Sequence, residues 1–130
     1  MNSPDDSEIT YLTANDLYSI NEEVTGELPY VRDRHSLQYA ARRPYIMVFG
    51  QEQFPTLLEK AAALMDSLAH NHLFGDGNKR TAIRAVTMFL EANGVQPAWS
   101  EADAMEFVLS VAKGEQTVET ILAWLEQHTK

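Results

Sequence analysis

The sequence has no cysteine, no long apolar run and few basic residues, and each absence narrows the possible functions. Without cysteine there can be no disulfide and no thiolate metal site. No apolar run approaches the ~18–20 residues of a membrane-spanning helix. Residues 1–6 are polar and acidic, unlike the basic and apolar regions of a signal peptide. We therefore expect a cytoplasmic protein that does not bind membranes.

Positive charge is scarce, since ten Lys and Arg stand against nineteen Asp and Glu, for a net charge of −9. Broad nucleic-acid binding needs a basic face that displaces counterions, so we expect no direct contact with nucleic acid. Three of the cations, Lys79, Arg80 and Arg84, nevertheless lie close together in the sequence. This local positive charge fits either a small anionic ligand or an ordinary solvated helix surface.

The chain has the length of one domain, 130 residues. We expect a disordered tail over residues 1–10 and a single domain over 11–130. Residues 45–50 are apolar and predict an extended flap or a strand, and a small pairing of 9–12 with 95–99 is also possible. Capping residues, glycine stops and helical spacing predict helices over about 14–25, 35–42, 56–71, 77–93, 101–113 and 118–128.

Apolar residues at helical spacing predict which helices form the core. The third predicted helix has a stripe made of Leu57, Ala61, Leu64 and Leu68. The fourth has an apolar face made of Ala82, Val86, Phe89 and Leu90. The expected fold class is therefore all-α, a compact bundle of about five to six helices with the fourth helix buried at its centre.

The most informative segment, residues 72–80, reads HLFGDGNKR. It follows the third predicted helix and contains the start of the fourth. The first amides of a helix have no intrahelical partners and together favour an anion. Gly75 and Gly77 permit positive φ and a close approach of backbone to ligand. Asn78, Lys79 and Arg80 would occupy the first helical turn, where cations oppose the helix dipole unless an anion is bound. These five residues predict a phosphate-binding loop.

Three other side chains of the segment have candidate roles. His72 can accept a proton near neutral pH, although it could instead simply cap the preceding helix. Asp76 is a hard ligand suited to Mg²⁺, which takes one or two carboxylates together with water and substrate phosphates. The alternative is that Asp76 caps the following helix. We expect Phe74 to enter the core and anchor the loop.

The segment resembles the signature of the Fic/Doc family, His-x-Phe-x-Asp/Glu-Gly/Ala-Asn-Gly/Lys-Arg, at every fixed position from His72 to Arg80. The resemblance extends over about residues 9–128. The compact length and the Arg43-Pro44 pair before the flap look like the short Doc branch of the family. This resemblance implies an all-helical fold and the transfer of part of ATP to a protein hydroxyl.

The resemblance also implies a role for each side chain of the segment. His72 would be the general base that deprotonates the target hydroxyl, and Asp76 would hold Mg²⁺ on the ATP phosphates. The loop amides with Asn78 would bind the phosphates. Lys79 and Arg80 would neutralise the charge that develops on the transferred group.

Two positions bear on which group is transferred. AMP-transferring members have Gly after the Asn and a second Arg three residues beyond the first, whereas this chain has Lys79 and Ile83 there. Arg84 lies one residue further, ~100° around the helix. Both departures are similar to Doc members, which transfer the γ-phosphate to elongation factor Tu and arrest translation. The alternatives are an AMP transferase and an inactive family member that acts only as a binding partner.

The resemblance further implies two protein partners. Residues 45–53 would form a flap that aligns the target segment as an added strand. Self-inhibited Fic proteins carry a Ser/Thr-x-x-x-Glu-Gly/Asn helix, and the nearest match here, from Ser19 to Val24, fails at its last position. A separate antitoxin is therefore the expected inhibitor.

Overall fold

The computed structural model describes residues 8–130, which fold into six α-helices, a short 3-10 helix over Arg43–Tyr45 and one β-hairpin. The helices are α1 (Ala14–Thr25), α2 (Arg34–Arg42), α3 (Leu57–His70), α4 (Asn78–Ala92), α5 (Glu101–Ala112) and α6 (Val118–Gln127). The hairpin consists of β1 (Met47–Val48) and β2 (Gln51–Glu52), antiparallel to each other. The predicted all-α class is confirmed, and the predicted flap is this hairpin. Of the predicted tail, residues 1–7 lie outside the described part.

Helix ends lie where local capping chemistry places them. The Thr13 hydroxyl accepts from the Asp16 amide while the Asp16 carboxylate accepts from the Thr13 amide, so α1 begins with a reciprocal cap. The second helix begins one residue earlier than predicted, because the Asp33 carboxylate accepts from the amides of His35 and Ser36. The hydroxyl of Ser36 also donates to Asp33, and these bonds lower the pKa of the Asp33 carboxyl below its usual value.

The centre of the bundle is formed by α3 and α4 together. The third helix packs against α4, α5 and α6, and α4 also packs against α1 and α5. The predicted apolar face of α4 is buried, which confirms that this helix lies at the centre. The loop between α3 and α4 is therefore held at both ends by helices that are fixed in the core. Within residues 8–130, no helix has the length and apolar character needed to cross a membrane.

The predicted pairing of residues 9–12 with 95–99 is wrong. The side chain of Asn93 instead bonds both backbone groups of Thr10, accepting from its amide at 2.8 Å and donating to its carbonyl at 2.9 Å. Segment 95–99 forms backbone hydrogen bonds with residues 128–130 at the end of the chain. A side-chain amide thus satisfies the backbone that a strand ladder was expected to satisfy.

Candidate active site

The signature loop, residues 71–77, joins the buried helices α3 and α4. His72 has a left-handed backbone with φ of +47°. That conformation costs ~1–2 kcal/mol for a residue with a Cβ atom, and it persists only where the surroundings enforce it. Leu73 and Phe74, which follow, are each 1% exposed and anchor the loop, as predicted for Phe74. His72 is therefore a solvent-exposed imidazole on a strained, well-supported backbone, which is typical of functional sites.

The connection between α1 and α2 supports the outer side of the loop. Val31 forms an antiparallel bridge with Phe74, and the Gly75 amide donates to the Tyr30 carbonyl at 2.9 Å. The Tyr30 ring lies against Gly75, where an added Cβ atom would come within 3.4 Å of Cδ1 of the ring. Gly75 does not have the positive φ that the sequence suggested, and an added Cβ atom would make only an ordinary van der Waals contact with Tyr30.

The side chain of Asn78 closes the loop on itself. Its Oδ1 accepts from the Phe74 amide at 3.0 Å, and its Nδ2 donates to the Phe74 carbonyl at 2.9 Å. This pair of bonds was not foreseen from the sequence, although the four-residue spacing between the two positions was available as a signal. The predicted role of Asn78 in phosphate binding stays a prediction, to which the structure adds a bracing role.

A buried amide on α1 holds the loop from below. Asn21 is 1% exposed, and its Nδ2 donates to the Asp76 carbonyl at 2.9 Å and to the Thr81 hydroxyl at 3.1 Å. Sequence reasoning missed this residue. The available signal was a polar side chain beside Leu17 and Ile20 on the apolar face of α1. Asn21 thereby links the backbone of the candidate metal ligand to the second turn of α4.

Gly77 is the position in the loop where a positive φ and a close contact both favour glycine. Its φ is +75°, and an added Cβ atom would lie 2.7 Å from Thr25 Cγ2 and 3.2 Å from Asn21 Nδ2. The predicted need for positive φ is met here. The end of α1 therefore packs directly on the residue that precedes α4.

Most charged groups of the site are available to a ligand. His72, Asp76 and Lys79 are exposed, and their side chains form no hydrogen bond or ion pair with another residue of the described range 8–130. Arg80 differs, because its Nη1 donates to the Val24 carbonyl at 2.6 Å. That carbonyl lies in the last turn of α1, where the helix dipole favours a cation. One bond leaves the guanidinium with free donors.

The Asp76 carboxylate fits Mg²⁺ held partly by a substrate. Among residues 8–130, no group of three or more His, Asp or Glu side chains lies close enough to hold a metal ion by itself. Mg²⁺ binds through one or two carboxylates and completes its shell with phosphate oxygens and water. The exposed Asp76 carboxylate, beside a helix N-terminus suited to phosphates, has the chemistry for this arrangement.

A groove with a volume of about 630 Å³ opens next to Arg80, between the end of α1, α4 and the start of α5. Its walls combine apolar side chains, among them Ile83 and Trp99, with the guanidinium groups of Arg80 and Arg84. This volume is within the ~300–1,000 Å³ range of small-molecule sites. Arg84 is also paired with Glu23 at 3.4 Å in an exposed ion pair.

Comparison with known proteins agrees with this geometry. The sequence pattern described as the Fic/DOC family matches residues 11–90, which is more than half of the chain and includes the whole signature loop. This chain belongs to the Fic/Doc family. The predicted family resemblance is thereby confirmed.

Two relatives refine the assignment. The protein named Toxin Doc of Mycolicibacterium smegmatis is 46% identical over 88 residues, which cover 68% of this chain and 68% of that protein. The protein named Protein kinase doc of Escherichia phage P1 is 30% identical over 105 residues, which cover 81% of this chain and 82% of that protein. These similarities support the Doc branch of the Fic/Doc family.

Proposed function

We propose that this protein is a Doc-type toxin that transfers the γ-phosphate of ATP to a hydroxyl of a protein target. The observation that carries the proposal is the signature loop, in which the exposed His72 and Asp76 stand beside the N-terminus of α4. Lys79 lies exposed in the first turn of that helix. The relative named Protein kinase doc supports phosphoryl transfer as the chemistry.

In the proposed reaction, the target hydroxyl oxygen bonds to the γ-phosphorus while the bond from that phosphorus to the bridging oxygen of ADP breaks. His72 accepts the hydroxyl proton. The amides at the start of α4 bind the phosphates, and Lys79 and Arg80 neutralise the charge that develops on the transferred group. Mg²⁺ held by Asp76 would supply further charge neutralisation on the phosphates.

The groove beside Arg80 supports the γ-phosphate as the transferred group. Ile83 lines this groove at the position where AMP-transferring members have their second Arg. An apolar wall there suits a nucleoside better than terminal phosphates, which need cations and amides. With the nucleoside in the groove, the γ-phosphate lies toward the loop and His72.

One observation favours AMP transfer as the second candidate. Arg84 lines the same groove as Arg80, although it is one residue beyond the position of the family's second Arg. Its ion pair with Glu23 is exposed and therefore weak. If Arg84 leaves Glu23 and binds the terminal phosphates, the α-phosphate would lie at the loop instead.

The partners proposed for this function are a translation factor and an antitoxin. Elongation factor Tu is the proposed target, and the hairpin offers it two open strand edges and exposed apolar side chains, with Met47 54% and Phe49 101% exposed. A separate antitoxin is the proposed inhibitor. The relative named Toxin Doc supports this pairing, since a toxin must be held inactive in its own cell.

The experiment compares two neighbouring histidines. His72→Ala should abolish phosphate transfer from γ-labelled ATP to elongation factor Tu and should relieve growth arrest on expression, with a loss of ~10²-fold or more, as for removal of a general base. His70→Ala is the matched control, because His70 is also exposed but lies in the last turn of α3. Equal activity of both variants would contradict the proposed function, and wild-type protein that transfers nothing would favour a binding role.

A further inference from the structure

Lys60 on α3 is a buried lysine that the proposed chemistry does not use. Its side chain is 0% exposed, among the apolar residues of the core. A buried ammonium group is costly unless charged and polar partners surround it. It lies in the first turns of α3, at the end of the helix away from the signature loop. The contacts of Lys60 therefore call for an explanation of their own.

The ammonium group of Lys60 joins the two ends of the hairpin to α3. Its Nζ donates to Glu52 Oε1 at 2.6 Å and to the Pro44 carbonyl at 3.1 Å. Pro44 lies shortly before β1, and Glu52 is the last residue of β2. The Nζ atom also lies 5.8 Å from the centre of the Tyr11 ring, within the range of a cation–π contact.

The hairpin does not fix its orientation through its own strands. Each strand has two residues, and a two-stranded hairpin is only marginally stable by itself. Met47 and Val48 are exposed, and Phe49 at the turn is fully exposed, so these side chains do not pack the hairpin onto the core. The position of the hairpin therefore depends on the anchors at its two ends. These are Lys60, the guanidinium of Arg43, which donates to Asp66 at 2.8 Å, and the buried ring of Phe54.

We propose that Lys60 is a positioning residue for the protein target. Through Glu52 and the Pro44 carbonyl it fixes the orientation of the hairpin, and thereby the edge along which the target segment binds. This inference rests on the proposed function, in which the hairpin receives the target. Because the signature loop lies at the other end of α3, Lys60 should affect target binding and leave ATP binding unchanged.

The test uses Lys60→Met, which keeps the length of the side chain and removes its charge. Glu52 is 26% exposed and can turn to water, so the variant does not leave the Glu52 carboxylate buried. With elongation factor Tu as acceptor, KM for that protein should rise about tenfold, the factor expected when a charge-assisted hydrogen bond is lost. KM for ATP should stay within about twofold. Amide exchange over residues 46–53 should accelerate by a similar factor, while amides of α4 stay protected.

Two further variants make the result specific. Lys113→Met removes an exposed lysine and should behave as wild type. Glu52→Gln keeps an acceptor for Lys60 without its charge and should raise KM for the target in the same direction by a smaller factor. If Lys60→Met fails to fold, the same measurements of KM and amide exchange are made on Glu52→Gln.

The outcomes separate this inference from the proposed function. Unchanged hairpin exchange and unchanged target KM in folded Lys60→Met would overturn the inference, and so would equal increases of KM for target and for ATP. Binding of elongation factor Tu is also measured in a His72→Ala background, which needs no phosphate transfer. Weaker binding when Lys60→Met is added supports the inference even if the wild-type protein transfers no phosphate, whereas equal binding refutes it.

Discussion

Gly77→Ala should destabilise this protein mainly through one methyl group on α1. The family signature accepts Gly or Ala at this position, so alanine itself is compatible with the loop. Here the added Cβ atom would lie 2.7 Å from Thr25 Cγ2, well inside an ordinary contact of 3.4–4 Å. The matched change is Thr25→Ser, which removes that methyl group. Serine keeps the hydroxyl that donates to the Asn21 carbonyl at 2.9 Å.

The expected magnitude has two parts. A side chain at φ of +75° costs ~1–2 kcal/mol. Overpacking against Thr25 adds ~1–3 kcal/mol, because the end of α1 or the loop must shift. The free energy of unfolding should therefore fall by about 2–5 kcal/mol, which lowers Tm by roughly 10–20 °C for a domain of this size. In the Thr25→Ser background, Gly77→Ala should cost mainly the first part, about 1–2 kcal/mol, because the added Cβ atom then meets only Asn21 Nδ2 closely, at 3.2 Å.

The assay is urea and thermal unfolding of the wild type, the two single variants and the double variant. The cycle should give a coupling of about 1–3 kcal/mol that favours the double variant. A cost of Gly77→Ala below ~0.5 kcal/mol, or additivity of the two changes within that margin, would contradict a clash with Thr25. Additivity would mean that the loop relaxes away from Thr25 without cost.

Two further predictions concern groups that support the site. Asn21→Ala should lower the free energy of unfolding by about 2 kcal/mol and should weaken ATP binding, because it leaves the buried Thr81 hydroxyl without its donor. Asn15→Ala, at an exposed position of the same helix, is the control. Equal unfolding midpoints of the two variants in urea would contradict the supporting role of Asn21. The hydrogen bond from the Ser36 hydroxyl, together with that from the Ser36 amide, lowers the pKa of Asp33. The ionised Asp33 carboxylate therefore stabilises the folded protein at pH values above its ordinary pKa. This stabilisation is lost as pH falls through the lower pKa of the folded state. Thermal unfolding of Asp33→Asn should therefore depend less on pH than wild type below about pH 4, and parallel curves would argue against this cap.

The helical part of the fold could be predicted because its signals are local. The Thr13 cap, the Gly26 stop of α1 and the apolar spacing in α4 each depend on residues within one or two turns. The prediction of a strand pairing for residues 9–12 was wrong because their actual partner is non-local. The Asn93 side chain bonds to Thr10, 83 positions away in the sequence. No periodicity in the sequence indicates which distant backbone a side-chain amide will bond.

In the candidate site, too, local features could be predicted from the sequence and long-range contacts could not. The residue types at 72–80 indicated phosphate chemistry from the segment alone. The contacts that hold the loop, from Asn21 on α1 and Tyr30 in the α1–α2 connection, could not be predicted because they form only in the folded chain, although Asn21 stands out as a polar residue on an apolar face. The attachment of the hairpin through Lys60 was hidden for a related reason, since a lysine in a helix is ordinarily expected at the surface.

Position-specific labelling of ATP distinguishes transfer of the γ-phosphate, which we propose, from transfer of AMP. Purified protein, Mg²⁺ and elongation factor Tu receive ATP labelled at either the α- or the γ-phosphate, in parallel, with His72→Ala as control. We expect label on the target from the γ-position only, and none with His72→Ala. Label from the α-position would contradict it, because the nucleotide would then lie in the opposite orientation, with its terminal phosphates toward Arg84.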